Sequence, residues 1–533
     1  MAISKVTLNG VTLMDVTSDT VEANTLLSGN TATKNDGTKV TGSYTPATPM
    51  YQEKTISPTT SVQVVTPDTT YDALSQVTVN AIPSEYVVPT GTLAISQNGT
   101  VNVKNYEYAN VNVEGGGGTT ADESLPVRFL DYDGTVVYSY TAEDFANLTA
   151  MPSNPSHTGL TAQGWNWTLA DAKAQVAEMG ECDIGQMYVT DDGRTRIYIE
   201  LESEDRLSPY LCIAPNGVVE IDWGDGSTEQ VDGTSVASLK NFQHIYSAVG
   251  KYVISLRMIN SAHVSIYGGG ASGILKYKIG NETTAWTYLR AVYKIEIGEN
   301  CSLGASALKN CYNLQTITIP QDCTIGAYAF YGCSSLQCVI FPSITTTIIG
   351  AASIQNYVLQ SCSKIVAISL PNGSDAIGMY AFAYCGSLKR LVIPHTVTAI
   401  NQNALVYCYD LKSIYLPSGI ATIANSMASG CRNVTDLTIP DSVTVINATA
   451  FSNCGAISKV IIPSGVTSIG NQAFGQTYSV KEYHILPTTP PTAGTSIFNN
   501  RLADSTIYVP AESLEAYKTA TNWSTYADYM VGE

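Results

Sequence analysis

The sequence predicts a multidomain, mainly β protein: small β modules at the N-terminus, a β-sandwich in the middle, and a C-terminal solenoid with a parallel sheet. Three observations predict it. A 23-residue step recurs through the C-terminal half, short alternating phrases broken by Gly, Asn and Asp turns fill the first 114 residues, and only 14% of the residues are charged while Thr, Ser, Asn, Gly and Tyr take the polar positions. At 533 residues the chain is long enough for several cores.

The repeat carries the most information. Cys362, Cys385, Cys408, Cys431 and Cys454 follow one another at intervals of 23, and Pro371, Pro394, Pro417, Pro440 and Pro463 keep the same step. Earlier members are less regular, with 22 residues from Cys311 to Cys333 and 29 from Cys333 to Cys362. A fixed period of this length is the mark of stacked coils, none of which buries its apolar face alone. One unit reads Leu411, Ile414, Leu416, Pro417, then Ile420, Ile423, Met427 and Cys431. Alternation at 414–416 suits a half-buried strand, and proline ends its pairing. The stretches around 439–446 and 462–470 resemble the bacterial surface-antigen class of leucine-rich repeats. The resemblance covers roughly residues 288–500, with an insertion near 344–358 and Gln476-Thr477 in place of the final cysteine. It implies a leucine-rich-repeat solenoid over 286–504 that presents a binding surface. Residues 505–533 read as its cap, with a strand at 506–509 and a short helix after Pro510.

Twelve cysteines raise the question of bridges or metal. Seven share the repeat column that starts at Cys311, Cys301 and Cys323 share another, and no C-x-x-C pair occurs. The expectation is a ladder of buried free thiols, with bridging between coils as the alternative and no metal site.

In the first half, residues 1–47 and 48–114 read as β modules. The phrases at 26–42, with an Asp36-Gly37 turn, at 64–79 and at 89–103 resemble small β modules in tail and baseplate proteins of phages that infect Gram-positive bacteria. A Gly-rich linker is expected at 115–122. In the α+β region 123–206, Thr141 and Thr168 are expected helix caps with a carboxylate three residues on, and 191–193 a turn. Within 207–285, Trp223-Gly-Asp-Gly226 followed by His244-Ile-Tyr246 and the strand from Gly250 resembles a PKD-like β-sandwich, usually a spacer or binding module.

No catalytic arrangement emerges. The five histidines form no metal-binding spacing. His157 reads as a loop residue and His244 as structural. Asp222 and Asp225 read as turn residues, Glu200 and Glu202 as a solvated strand edge, and Trp165 and Trp167 as packing residues, although a tryptophan pair also suits sugar stacking. No enzyme activity and no cofactor are expected. The net charge of −18 disfavours nucleic acid and anionic membranes, and no run of ~18 apolar residues spans a bilayer.

The combined expectation is a virion structural protein of a phage tail or baseplate, a fibre that contacts the bacterial host. The N-terminal modules would join other tail proteins and the repeats would bind a surface glycan or protein; assembly as a homo-oligomer is left open. The alternative is a bacterial cell-surface adhesin. Residues 1–10 lack a signal-peptide pattern and the C-terminus lacks an anchor pattern, which favours synthesis in the host cytoplasm and release in a virion. The expected contact residues point outward from the repeat sheet and vary from coil to coil: Thr316, Thr318, Ala367, Ser369, Arg390, Val392, Ser413, Tyr415, Asp436, Thr438, Lys459 and Ile461.

Overall fold

A computed structural model describes residues 121–235, 238–268, 274–279, 282–284, 290–343, 353–499 and 504–533, together with the backbone of six short strands in residues 1–120. The chain divides into two compact units at Thr120/Ala121. In the first unit, Lys5–Leu8 pairs antiparallel with Val11–Asp15, Thr31–Thr33 pairs antiparallel with Lys39–Thr41, and Tyr51–Ile56 pairs parallel with Ala73–Val79. The Asp36-Gly37 turn, the 89–103 phrase and the glycine run at 115–118 lie outside the described residues, as do residues 344–352 of the insertion.

The second unit begins with an α+β lobe, residues 121–190. Its four strands lie in the order Val136–Tyr140, Val127–Leu130, Cys182–Thr190, Leu160–Trp165, and the middle pair is parallel. Both helices start where a hydroxyl can cap them. Thr141 accepts from Asp144 N at 3.0 Å ahead of Ala142–Ala146, and Thr168 accepts from Asp171 N at 3.2 Å ahead of Leu169–Met179. Phe129, Phe145, Trp165, Val176 and Ile184 form the core.

A large twisted sheet follows. The strands Thr195–Leu201, Tyr210–Asp222 and Gly250–Met258 are antiparallel neighbours, and Thr195–Leu201 also pairs with Val292–Glu296. Val292–Glu296 in turn lies parallel to Thr316–Thr318, the strand of the next coil. This sheet therefore crosses both expected limits of the sandwich, 206/207 and 285/286. It is the N-terminal end of the solenoid, covering the first coil's apolar edge. The W-G-D-G turn is held locally: Asp222 and Asp225 accept from Gly224 N and Ser227 N, and His244 stacks on Trp223 at 4.7 Å while bonding Asp225 at 2.8 Å.

Each coil then has three sides. The first carries the strand ending at proline, for example Ser413–Tyr415, parallel to Asp436–Thr438. The second carries a two-residue strand such as Thr422–Ile423, parallel to Val445–Ile446. On the third side alternate N–H groups serve different partners. Tyr380, Phe382 and Tyr384 donate to Gln402, Ala404 and Val406 of the next coil at 3.3, 2.9 and 2.9 Å, whereas Ala381 and Ala383 close local turns onto Gly378 and Tyr380. Tyr380 and Tyr384 hold left-handed φ of 54° and 62°, a conformation that disfavours a bulky side chain. The Tyr357 and Tyr380 rings stack at 5.1 Å, an aromatic contact that offsets part of that cost.

All twelve cysteines are buried and free. The ladder thiols are more than small apolar fillers. Cys385, Cys408, Cys431 and Cys454 each donate to a carbonyl of the preceding coil, at Leu359, Phe382, Leu405 and Ala428, over 3.3, 3.2, 3.1 and 3.3 Å.

The C-terminal cap contains Thr506–Val509, the helix Leu514–Thr519 and a strand that the sequence pattern did not suggest, Met530–Gly532, parallel to Thr506–Val509. Trp523 is fully buried, and its indole N–H bonds Pro491 O at 2.7 Å.

Candidate functional site

The outward face of the repeat sheet divides into a covered and an open stretch. The lobe strand Cys182–Thr190 is buried along its whole length and lies on the coils at Thr316–Thr318, Cys338–Ile340 and Ala367–Ser369. The approach is close enough to require glycine: a Cβ at Gly185 would sit 2.3 Å from Ile340 Cγ2. Leu130 and Met187 of the lobe share an apolar cluster with Cys338, Ile340 and Ala367 of the sheet.

Several expected contact residues are thereby removed from the surface. Thr318 is 1% exposed and Ser369 is fully buried, its hydroxyl donating to Asp183 O at 2.7 Å. Ala367 and Val392 are buried as well. Arg390 serves the molecule's own interior, with Nη1 donating to Leu125 O at 3.0 Å, Nη2 to Pro126 O, and ion pairs of 3.3 Å to both Glu181 and Asp183. Asp183 also holds Arg128 in a two-pronged pair at 2.8 and 2.6 Å. Burial pushes the Glu181 carboxyl up to about 7, against the opposing pull of Arg390. Thr316, at the margin, is half-buried.

The other expected residues remain available and lie together. Ser413 and Tyr415 are half-exposed; Asp436, Thr438, Lys459 and Ile461 are exposed, Ile461 to 48%. The strand register places them in two rows, Ser413–Asp436 with Lys459–Glu482 and Tyr415–Thr438 with Ile461–His484, and His484 then meets Tyr508 and Tyr508 meets Val531. Glu482, His484, Tyr508 and Val531 were missed in the sequence because the last units depart from the cysteine pattern used to set the register. His484 stacks on Tyr508 at 4.7 Å and is flanked by Glu482 at 3.3 Å and Glu533 at 2.9 Å. Hydrogen bonding from His484 and the nearby Lys459 hold the Glu482 carboxyl below its usual range. The open face thus offers an aromatic and aliphatic row bordered by charges of both signs, suited to recognition through shape and hydrogen bonding.

The other candidates take structural places. Trp165 and Trp167 are buried, with indole N–H groups on Pro152 O and Leu370 O at 3.0 and 2.8 Å. His157 bonds Asp131 at 2.8 Å between the Tyr132 and Tyr188 rings. Glu200 faces Lys251 at 3.6 Å, and Glu202 is exposed. Among the described residues, no group of three or more His, Cys, Asp or Glu is placed to hold a metal ion, and no helix is long and apolar enough to cross a membrane.

Comparison with known proteins places the repeats. The BspA type leucine rich repeat region matches in six copies over residues 282–353, 301–431 and 352–481. Among solved structures, a leucine-rich repeat protein of T. pallidum is 26% identical, covering 31% of this chain and 75% of that one, with a TM-score of 0.27. One from Bacteroides ovatus is 21% identical, covering 46% and 71%, with a TM-score of 0.34. A leucine rich cell surface protein from Faecalibacterium prausnitzii is 17% identical, covering 48% and 92%, with a TM-score of 0.23. No curated protein shows significant similarity to the chain. Five units in register, the parallel ladders between them and the family match over 282–481 together make this region a solenoid of BspA-type leucine-rich repeats.

Proposed function

We propose that the chain is a non-enzymatic recognition protein of the adhesin type, which engages a surface molecule through the open stretch of its repeat sheet. The observation that carries this reading is the division of one sheet face. Where the lobe covers it, the outward side chains are apolar or small, such as Cys338, Ile340 and Ala367, or, in Arg390, are paired with the lobe's own carboxylates; beyond the lobe they are the half-exposed Tyr415 and the exposed Asp436, Thr438 and Lys459, different in every coil. Stacking constrains the inward columns to repeat, while an outward column is free to vary with what it meets. The test is attachment of the labelled full chain to intact bacterial and epithelial cells. Tyr415→Ala combined with Ile461→Ala is expected to abolish attachment without lowering the melting temperature; attachment at the wild-type level would overturn the reading.

A second setting is a phage tail or baseplate, with the same face turned to the host. It rests on the phrases within residues 1–114 that resemble tail and baseplate modules. In that setting deletion of residues 1–114 prevents incorporation into particles, and particles that still carry the truncated chain would remove it.

A further inference from the structure

Proline stands at the exit of the repeat strands, and its missing N–H affects the coil before it. In this parallel ladder the last carbonyl of a strand accepts from an N–H of the following coil, as Ile462 O does from Leu486 N at 3.0 Å. At the same offset from Leu370, Ile393, Leu416 and Ile439 stand Pro394, Pro417, Pro440 and Pro463, which have no N–H to give. The ladder leaves a row of main-chain carbonyls without their partner.

The lobe uses this row. Trp167 Nε1 donates to Leu370 O at 2.8 Å, and Asn166 Nδ2 donates to Phe341 O, ahead of Pro342, at 2.9 Å. Gln175 does more: its Nε2 donates to Ile393 O at 3.1 Å while its Oε1 accepts from His395 N at 2.6 Å. One carboxamide thereby bridges the carbonyl before Pro394 and the N–H after it. The same pair recurs on the next two coils, Leu416 O with Ser418 N and Ile439 O with Asp441 N, and among the described residues no hydrogen bond reaches any of these four atoms. The lobe helix ends beside the first of them, where Ser418 Oγ donates to Glu178 at 2.5 Å. The row closes at the following coil, where Leu486 N occupies Ile462 O.

We infer that the two open pairs flanking Pro417 and Pro440 are carboxamide-reading slots, and that the surface partner is a polypeptide presenting Asn or Gln side chains at one-coil spacing, seated as a continuation of the lobe. This rests on the recognition reading above and names the partner's chemistry. A primary carboxamide supplies one donor and one acceptor on adjacent atoms, which matches a carbonyl and an N–H flanking one proline. Continuity with the lobe interface favours a polypeptide, because the lobe already fills the row with amide and indole side chains. The flanking Tyr415, Thr438 and Ile461 add uncharged contact beside the slots.

The probe is a synthetic peptide of residues 163–180 of this chain, which carries Trp167 and Gln175, titrated into the full chain. Saturable binding is expected. Pro440→Ala with Pro463→Ala restores N–H groups opposite Leu416 O and Ile439 O, and should weaken binding at least about tenfold with an unchanged melting temperature. A peptide bearing Gln175→Glu, which keeps the shape and loses the donor, should weaken likewise, an arm that leaves the protein untouched. No saturable binding, or equal binding by the double proline variant, overturns the inference. Competition by N-acetylglucosamine oligomers that depends on the same prolines overturns the polypeptide assignment in favour of an acetamido glycan. If the peptide fails while Tyr415→Ala with Ile461→Ala still abolishes cell attachment, the slots are wrong and the recognition reading stands; if that variant attaches normally, the reading itself falls.

Discussion

Arg390, which points outward from the repeat sheet, lies 3.3 Å from Asp183 of the lobe, and the Asp183 side chain is 1% exposed. A residue placed by its repeat position on a recognition surface is thus the cationic centre of an internal seam, shared with Arg128 and Glu181. Removing one member of such a set leaves buried charge without its counterpart, which costs more than the pair itself contributes.

Arg390→Met should therefore lower stability by about 3–5 kcal/mol in denaturant unfolding. Lys459→Met, whose exposed amine faces Glu482 at 3.5 Å, should change it by less than about 1 kcal/mol. Equal effects would show that the seam does not hold the lobe to the sheet.

The seam also makes stability depend on pH. Burial raises Glu181 to about 7, above its unfolded value, so the folded state favours the protonated carboxyl. Its contribution is fully present below about pH 4.5 and is lost as pH rises through about 7, with a ceiling of about 3 kcal/mol. Glu181→Gln should flatten the decline between these limits in unfolding measured across pH; a profile identical to the wild type would place the titration elsewhere.

The cysteine ladder should behave as buried thiols. Burial pushes Cys454 up to about 12, so little thiolate forms near neutrality. A thiol reagent should label native protein slowly and denatured protein fully, and reductant should leave the melting temperature unchanged. Because Cys431 Sγ donates to Leu405 O, Cys431→Ala loses a bond as well as volume and should cost about 1–3 kcal/mol. A large drop in melting temperature on reduction would reveal bridges instead.

At the C-terminal end, Trp523 packs edge-on against Tyr517 at 5.0 Å and closes the last coil. Trp523→Ala should cost about 3–5 kcal/mol, and hydrogen exchange should quicken first in Glu482–Ile485 and Thr506–Val509. Uniform quickening along all coils would mean that the solenoid unfolds as one body and needs no end cap.

The coils were legible because a solenoid writes its contacts as a period. Ile414, Leu416 and Cys431 must recur for neighbours to stack, and the helix caps at Thr141 and Thr168 were equally local. The sequence by itself determined the parallel sheet, the inward columns, the buried thiols and the direction in which each outward side chain leaves its strand. Only the tertiary structure decided which outward residues meet solvent, because Asp183 lies 207 positions before Arg390 and no period links a lobe to the coils it covers. Cys338, Ile340, Ala367 and Val392, apolar at outward positions, were the trace of that cover in the sequence. Burial on that face depends on a separate lobe folding back over it, so the local pattern alone could not separate Thr318, Ser369 and Arg390 from Tyr415, Thr438 and Lys459.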